Sequence, residues 1–172
     1  MIPWKDAGFR ALGWWRALQP APEANRPGDR AALARLRRCS TVSEAMLETS
    51  ALLLFQAVEA TVANDLPTVA LAAAVLAHVR NDRLDTSVAR LIGPGSIETP
   101  ETALLKPLRF RRLMEAGSLD ERLAAFRRLA ALVPLHRGFD RLRWATPILH
   151  QSPRSWRYRG KRAPAWLGPF GW

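Results

Sequence analysis

Apolar residues return every three or four positions along most of this chain, and no stretch alternates apolar and polar with period two. That pattern restricts the chain to helices, because a half-buried strand needs a period of two and a helix face a period of 3.6. Trp4, Gly8, Ala11, Leu12, Trp15 and Leu18 predict a first helix over about residues 4–18, with Trp15 toward the core and Trp14 toward a flank. Pro20, Pro22 and Pro27 then mark residues 19–28 as a loop. Asp29 is placed to cap a second helix over 30–39, in which Leu33 and Leu36 pack. Ser43 is expected to cap a third helix running to about Val62. Its run Leu52-Leu53-Leu54-Phe55 is apolar nearly all round and reads as a central, buried helix. After a turn at Asn64-Asp65-Leu66-Pro67, capped by Asp65, the residues Val69, Ala72, Ala73, Leu76 and Val79 mark another buried helix. Its small side chains let neighbouring helices approach closely.

Residues 81–104 are less regular. Val88, Leu91 and Ile92 suggest a short helix, followed by Gly93-Pro94-Gly95 and a polar run, together a mobile connection. Beyond it, Pro107-Leu108-Arg109-Phe110-Arg111-Arg112-Leu113-Met114 reads as a short helix opened by Pro107, where a missing N–H costs nothing. Phe110, Leu113, Met114 and Gly117 share a docking side, Arg109 and Arg112 lie away from it one turn apart, and Arg111 projects from a flank. Gly117 is placed to end this helix in the left-handed conformation. Ser118-Leu119-Asp120-Glu121 is a capping box for the next helix, whose stripe Leu119, Leu123, Phe126, Ala130 and Val133 stops at Pro134. Asp140 starts a further helix with Leu142 and Ile148 inward. The class is all-α. Two small helical bundles, residues 1–95 and 96–172, are expected on either side of the partly irregular connection, the second ending in an irregular tail from residue 152.

Charge divides the chain more sharply than hydrophobicity. The net charge is +11 over 172 residues, yet residues 1–105 carry 11 basic and 11 acidic side chains. Residues 106–172 carry 15 basic and 4 acidic ones, so the whole excess lies there. A concentrated excess points to a polyanionic partner. Of the 26 basic residues 23 are Arg, which contacts phosphate through a planar, bidentate fork. A GC-rich coding bias gives the same enrichment, so the position of the charge says more than its chemistry. The 30–39 helix adds Arg30, Arg35, Arg37 and Arg38, with no close acidic partner beyond its cap. The tail interleaves Arg154, Arg157, Arg159, Lys161 and Arg162 with Trp156, Tyr158, Trp166, Phe170 and Trp172. Trp156 and Trp166 are expected to pack and the intervening Arg157, Arg159, Lys161 and Arg162 to stay outside, where they suit phosphate contact.

Catalytic chemistry has no such support. His78, His136 and His150 are scattered, and none forms a metal-binding spacing with Cys39 or a carboxylate. His78 sits in an apolar helix and reads as a core or boundary residue. Gly93-Pro94-Gly95 lacks the Lys and Ser/Thr of a phosphate loop. Cys39 lies among arginines that lower a thiol pKa, although a packed structural thiol suits its position better. One Cys excludes an intrachain disulfide and fits a reducing compartment. No apolar run reaches the roughly 18 residues of a membrane span. The start Met1-Ile2-Pro3-Trp4-Lys5-Asp6 lacks the layout of a signal peptide. The expectation is a cytoplasmic chain with no membrane, cofactor, metal or catalytic residue.

Three stretches together resemble a known family. Trp14-Trp15-Arg16-Ala17-Leu18, then Gly28-Asp29-Arg30-Ala31-Ala32-Leu33 leading to Arg37-Arg38, then Leu108-Arg109-Phe110-Arg111-Arg112-Leu113 look like the small subunit (CasB family) of the type I-E CRISPR Cascade surveillance complex. Their order and spacing match, and Arg127-Arg128 in the following helix continues the likeness to about residue 150. The resemblance implies a non-enzymatic, two-domain helical protein, present beside a second copy of itself among the backbone and large subunits of the complex. It implies contact with the phosphate backbone of crRNA and target DNA, and a part in holding the opened DNA strands of the R-loop. Carried onto the matching positions, the nucleic-acid-binding candidates are Arg30, Arg37, Arg38, Arg109, Arg111, Arg112, Arg127 and Arg128, some of them holding the fold by pairing with acids such as Glu115 or Glu121. The tail departs from the family, whose final helix is more regular, because Gly160, Pro164, Gly168, Pro169 and Gly171 interrupt it. A basic helical transcriptional regulator is the competing class. Leu113-Met114-Glu115-Ala116-Gly117-Ser118-Leu119 could pass for a helix-turn-helix, but the second helix has no Asn or Gln to read bases.

Overall fold

The computed structural model describes residues 4–79, 92–94 and 99–132. Within them the chain builds helices α1 (Trp4–Leu18), α2 (Arg30–Arg38), α3 (Val42–Met46), α4 (Thr49–Ala57), α5 (Leu66–Leu76), α6 (Pro107–Glu115) and α7 (Leu119–Leu132). Short 3-10 turns at Pro22–Ala24, Ala63–Asp65 and Pro100–Thr102 join some of them, and the described residues contain no strand. The fold is all-α. The expected helix over 140–148, the tail from residue 152 and the short helix around Val88 and Leu91 lie outside the described residues, as do Val133 and Pro134.

Helix α5 is the axis of the packing. Every residue from Thr68 to Leu76 is buried, and α1, α4 with the Val58 that follows it, and α7 contribute to the same core through Ala11, Trp14, Trp15, Leu54, Leu123, Phe126 and Leu129. Alanine at 70, 72, 73 and 74 keeps this helix thin, so α3, α4 and α7 all lie against it. The described part of the expected second bundle therefore shares one core with the first.

The segment expected to form one helix from Ser43 to Val62 is two helices. Thr41, not Ser43, caps the first, accepting from the Glu44 amide at 3.2 Å. The chain then turns at Leu47 and restarts at Thr49. Helix α4 stops at Ala57, and Glu59 comes next but one, in the left-handed region at φ 54°. This break demotes α4 from the central place its Leu run suggested. Leu54 is fully buried, whereas Leu52 and Leu53 are 42% and 51% exposed. Asp65 precedes α5, but its side chain makes no cap hydrogen bond there.

Two further packing details depart from the helical periodicity. Trp14 is buried along with Trp15, and its indole N–H donates to the Ser50 carbonyl at 2.9 Å, joining α1 to α4. A buried indole N–H usually finds such an acceptor. The proline loop is closed by Gly28 at φ +68°, where a Cβ would stand 2.5 Å from the Gln19 carbonyl carbon. Only glycine fits there, and it lets the Asp29 amide reach the Leu18 carbonyl at 3.0 Å. Of the connection expected to be mobile, residues 81–91 and 95–98 lie outside the described residues. Its described end packs, with Ala103 buried and the neighbouring Leu105 amide bonded to the Ile92 carbonyl at 2.9 Å.

Candidate nucleic-acid interface

Helix α6 is set by its first two residues. Lys106 is extended (φ −62°, ψ 149°), as a residue before proline prefers, and Pro107 starts the helix. No residue of α6 is buried. Phe110 and Leu113 are half-buried against the core, while Leu108 and Met114 stay 57% and 43% exposed. The docking side is thus narrower than the periodicity suggested, and Met114 is not on it. Arg109, Arg111 and Arg112 are all exposed.

The end of α6 is not the expected glycine cap. Ala116 succeeds the helix at φ −56°, and Gly28 is the only glycine at positive φ among the described residues. The amides of Gly117 and Ser118 instead donate to the Glu121 carboxylate at 2.8 and 3.0 Å. Ser118 Oγ accepts from the Glu121 amide at 3.1 Å, completing the capping box of α7. The Ser118 and Gly117 amides hold the Glu121 carboxyl below its ordinary pKa. Arg122, which sequence reasoning passed over, donates from Nε to the Ala116 carbonyl at 3.1 Å. The first turn of α7 therefore sets where α6 ends.

Several other arginines are used the same way. Arg127 donates from Nη2 to the Leu36 carbonyl in the last turn of α2, at 3.2 Å. Arg37 donates from Nε to the Ala77 carbonyl just past α5, at 2.6 Å. Arg26 donates to the Arg16 carbonyl in the last turn of α1, at 3.0 Å. Helix C-termini leave unpaired carbonyls and a partial negative charge, and a guanidinium satisfies both. Arg37 and Arg127 thus hold the fold through hydrogen bonds to backbone carbonyls. Arg35 does find an acid, pairing with Glu48 at 3.0 Å, contrary to the expectation that this helix lacks one.

Arg37 and Arg127 also flank His78, which is half-buried just past the end of α5. Burial, then Arg127 and Arg37, push its pKa down to about 4, so the imidazole is neutral at pH 7. Its role as a boundary residue matches the sequence reading. Cys39 is buried, and its Sγ lies 3.3 Å from the Arg35 carbonyl. Burial first, then Glu48 and Glu44, push this thiol above its ordinary pKa, the reverse of the activation its neighbouring arginines suggested.

Of the nucleic-acid-binding candidates among the described residues, Arg30 and Arg38 on α2, Arg109, Arg111 and Arg112 on α6, and Arg128 on α7 are exposed. Arg157, Arg159, Lys161 and Arg162 lie outside the described residues, as do His136 and His150. A shallow groove over the proline loop, lined by Pro20, Pro22, Pro27, Arg26 and Arg30 among others, contains no carboxylate or imidazole. No group of three or more metal-binding side chains occurs among the described residues, and no helix there is long and apolar enough to cross a membrane. Exposed guanidiniums on a rigid helix can form charge-assisted hydrogen bonds to phosphates without reading a base. Compared with protein-family models, with curated proteins and with solved structures, the chain finds no match.

Proposed function

We propose that this chain is the non-catalytic small subunit of a type I-E Cascade-like, RNA-guided CRISPR complex, binding nucleic-acid backbone and stabilising the opened target DNA. The observation that carries this reading is α6, a helix with no buried residue and three exposed arginines. It opens the part of the chain that holds the whole charge excess. The likeness of three chain stretches to the CasB family supplies the partners: crRNA and target DNA, a second copy, and the backbone and large subunits of a cytoplasmic complex. The regulator reading is less well supported, because α7 would be its recognition helix. That helix buries Leu123, Phe126, Leu129 and Ala130 and commits Arg122 and Arg127 to backbone carbonyls.

The test is a salt titration of the isolated protein on DNA and RNA–DNA hybrids of unrelated sequence. Binding is expected to be weak, indifferent to sequence and steeply reduced by salt. Arg109→Ala with Arg112→Ala flattens the salt slope by up to about two phosphate contacts. A hundredfold preference for one DNA sequence at ~150 mM salt favours the regulator instead. Metal-dependent cleavage that tracks with the folded protein overturns the non-catalytic assignment.

A further inference from the structure

Helix α7 stands between the two basic regions. Its own N-terminal turn fixes the end of α6, and its flank meets the last turn of α2. Its buried stripe lies against α5, whose many alanines give low ridges and shallow grooves. Such a surface is favourable to cover but does little to specify how far a neighbour slides or rotates on it. Two polar contacts supply that specification. Asp120 Oδ1 accepts from the Val42 amide at 2.7 Å, the first N–H of α3. Arg127 Nη2 donates to the Leu36 carbonyl at 3.2 Å. The two side chains are seven residues apart, two turns or about 10.5 Å along one face of α7. They grip both ends of the α2–α3 connection, one at a free amide and one at a free carbonyl. Each bond satisfies a helix-terminal group that would otherwise lack a partner inside the protein.

We propose that Asp120 and Arg127 are positioning residues that set the place of α7 on the α2–α3 connection, and through it the spacing between the exposed arginines of α2 and those of α6. The consequence for nucleic acid rests on the function proposed above; the positioning itself does not. A phosphate backbone has a fixed repeat, so basic groups on two elements engage one strand together only when their separation is held. Asp120 makes this testable by sign, because an acid is the wrong charge to contact phosphate.

On charge alone, Asp120→Ala strengthens binding of the full chain to a short RNA–DNA hybrid of arbitrary sequence. On this inference it weakens binding by about tenfold and lowers the salt slope by about one, which does not depend on the fraction of active protein. Asp120→Asn loses the same charge but keeps the accepting oxygen, so it binds at least as tightly as the parent. Equal affinity and slope in the Ala and Asn variants overturn the proposal. A second arm needs no nucleic acid. Spin labels at Ala31→Cys and Glu115→Cys, with the buried Cys39 replaced by Ala, report the α2–α6 distance by pulsed electron resonance. One narrow distribution is expected for the parent and Asp120→Asn, and a broadened one for Asp120→Ala. Should Asp120→Ala fail to fold, Arg127→Met keeps the apolar stem, removes the donor and is read by the same labels. A narrow distribution in the readable variant overturns the proposal. Broadening in a chain whose parent binds no nucleic acid upholds the positioning and removes only the functional reading.

Discussion

Helices α5 and α6 begin with the same device and end in opposite places. Each carries a proline in its first turn, and each is short, at 11 and 9 residues. Helix α5 buries nine consecutive residues; α6 buries none. The difference lies in the side chains after the proline. Small and branched apolar side chains all round let α5 be enclosed by neighbours, whereas three guanidiniums in four positions leave α6 only a narrow contact at Phe110 and Leu113. A guanidinium favours contact with water, because removing a charge from water costs several kcal/mol. Stability is therefore concentrated in α5, and the surface available to a partner in α6. The division is not simply apolar against charged. Arg37 and Arg127 are partly withdrawn from solvent, and each donates a hydrogen bond to a helix-end carbonyl.

The contrast breaks first if α5 proves replaceable. Leu71 is fully buried in it, so Leu71→Ala is expected to lower stability by roughly 2–5 kcal/mol in urea or thermal unfolding. A loss no larger than that of an α6 substitution would end the claim that α5 organises the core.

The next effect is set by acid. His78 has a folded-state pKa of about 4, below the ordinary 6.5, so the unfolded chain takes up a proton that the folded chain refuses. Stability contributed by the neutral imidazole is whole above pH 6.5 and declines as pH falls through the window from 6.5 to 4. For a partly solvated site this amounts to about 1–2 kcal/mol. Unfolding curves across that window should show the decline in the parent and a smaller one in His78→Gln.

Phe110→Ala comes third. A fully buried phenylalanine would cost roughly 3–5 kcal/mol on truncation. Phe110 is only half-buried, so about 1–2 kcal/mol is expected, and calorimetry on the single variant decides between the two. The smallest effect belongs to the arginines proposed to contact phosphate. Arg109→Ala with Arg112→Ala should move stability by less than about 0.5 kcal/mol, since exposed charges contribute little. A double variant that melts as early as Leu71→Ala while still binding nucleic acid would place the interface elsewhere on the molecule.

The amino-acid sequence by itself determined the features that depend on neighbours within one or two turns. Helical period set the class and the run of α1. The Asp29 cap, whose carboxylate accepts from the Ala32 amide at 2.8 Å, and the Ser118–Glu121 box were legible because each is closed by residues three apart. The buried identity of α5 was legible because no face of it is polar. The exposure of Arg109, Arg111 and Arg112 was legible for the reverse reason. Tertiary structure alone decided the rest. That α5 and not α4 takes the centre depends on the turn at Leu47 and on which helices crowd around alanine. Periodicity gives the faces of a helix but not which neighbour covers them. That Trp14 is buried depends on a carbonyl 36 residues away at Ser50. The Asp120–Val42 and Arg127–Leu36 contacts span 78 and 91 residues. An arginine aimed at a helix-end carbonyl and one aimed at solvent look the same in a sequence. They are separated by whether a free carbonyl from a distant helix end lies within reach of the guanidinium, and only the folded chain brings the two together.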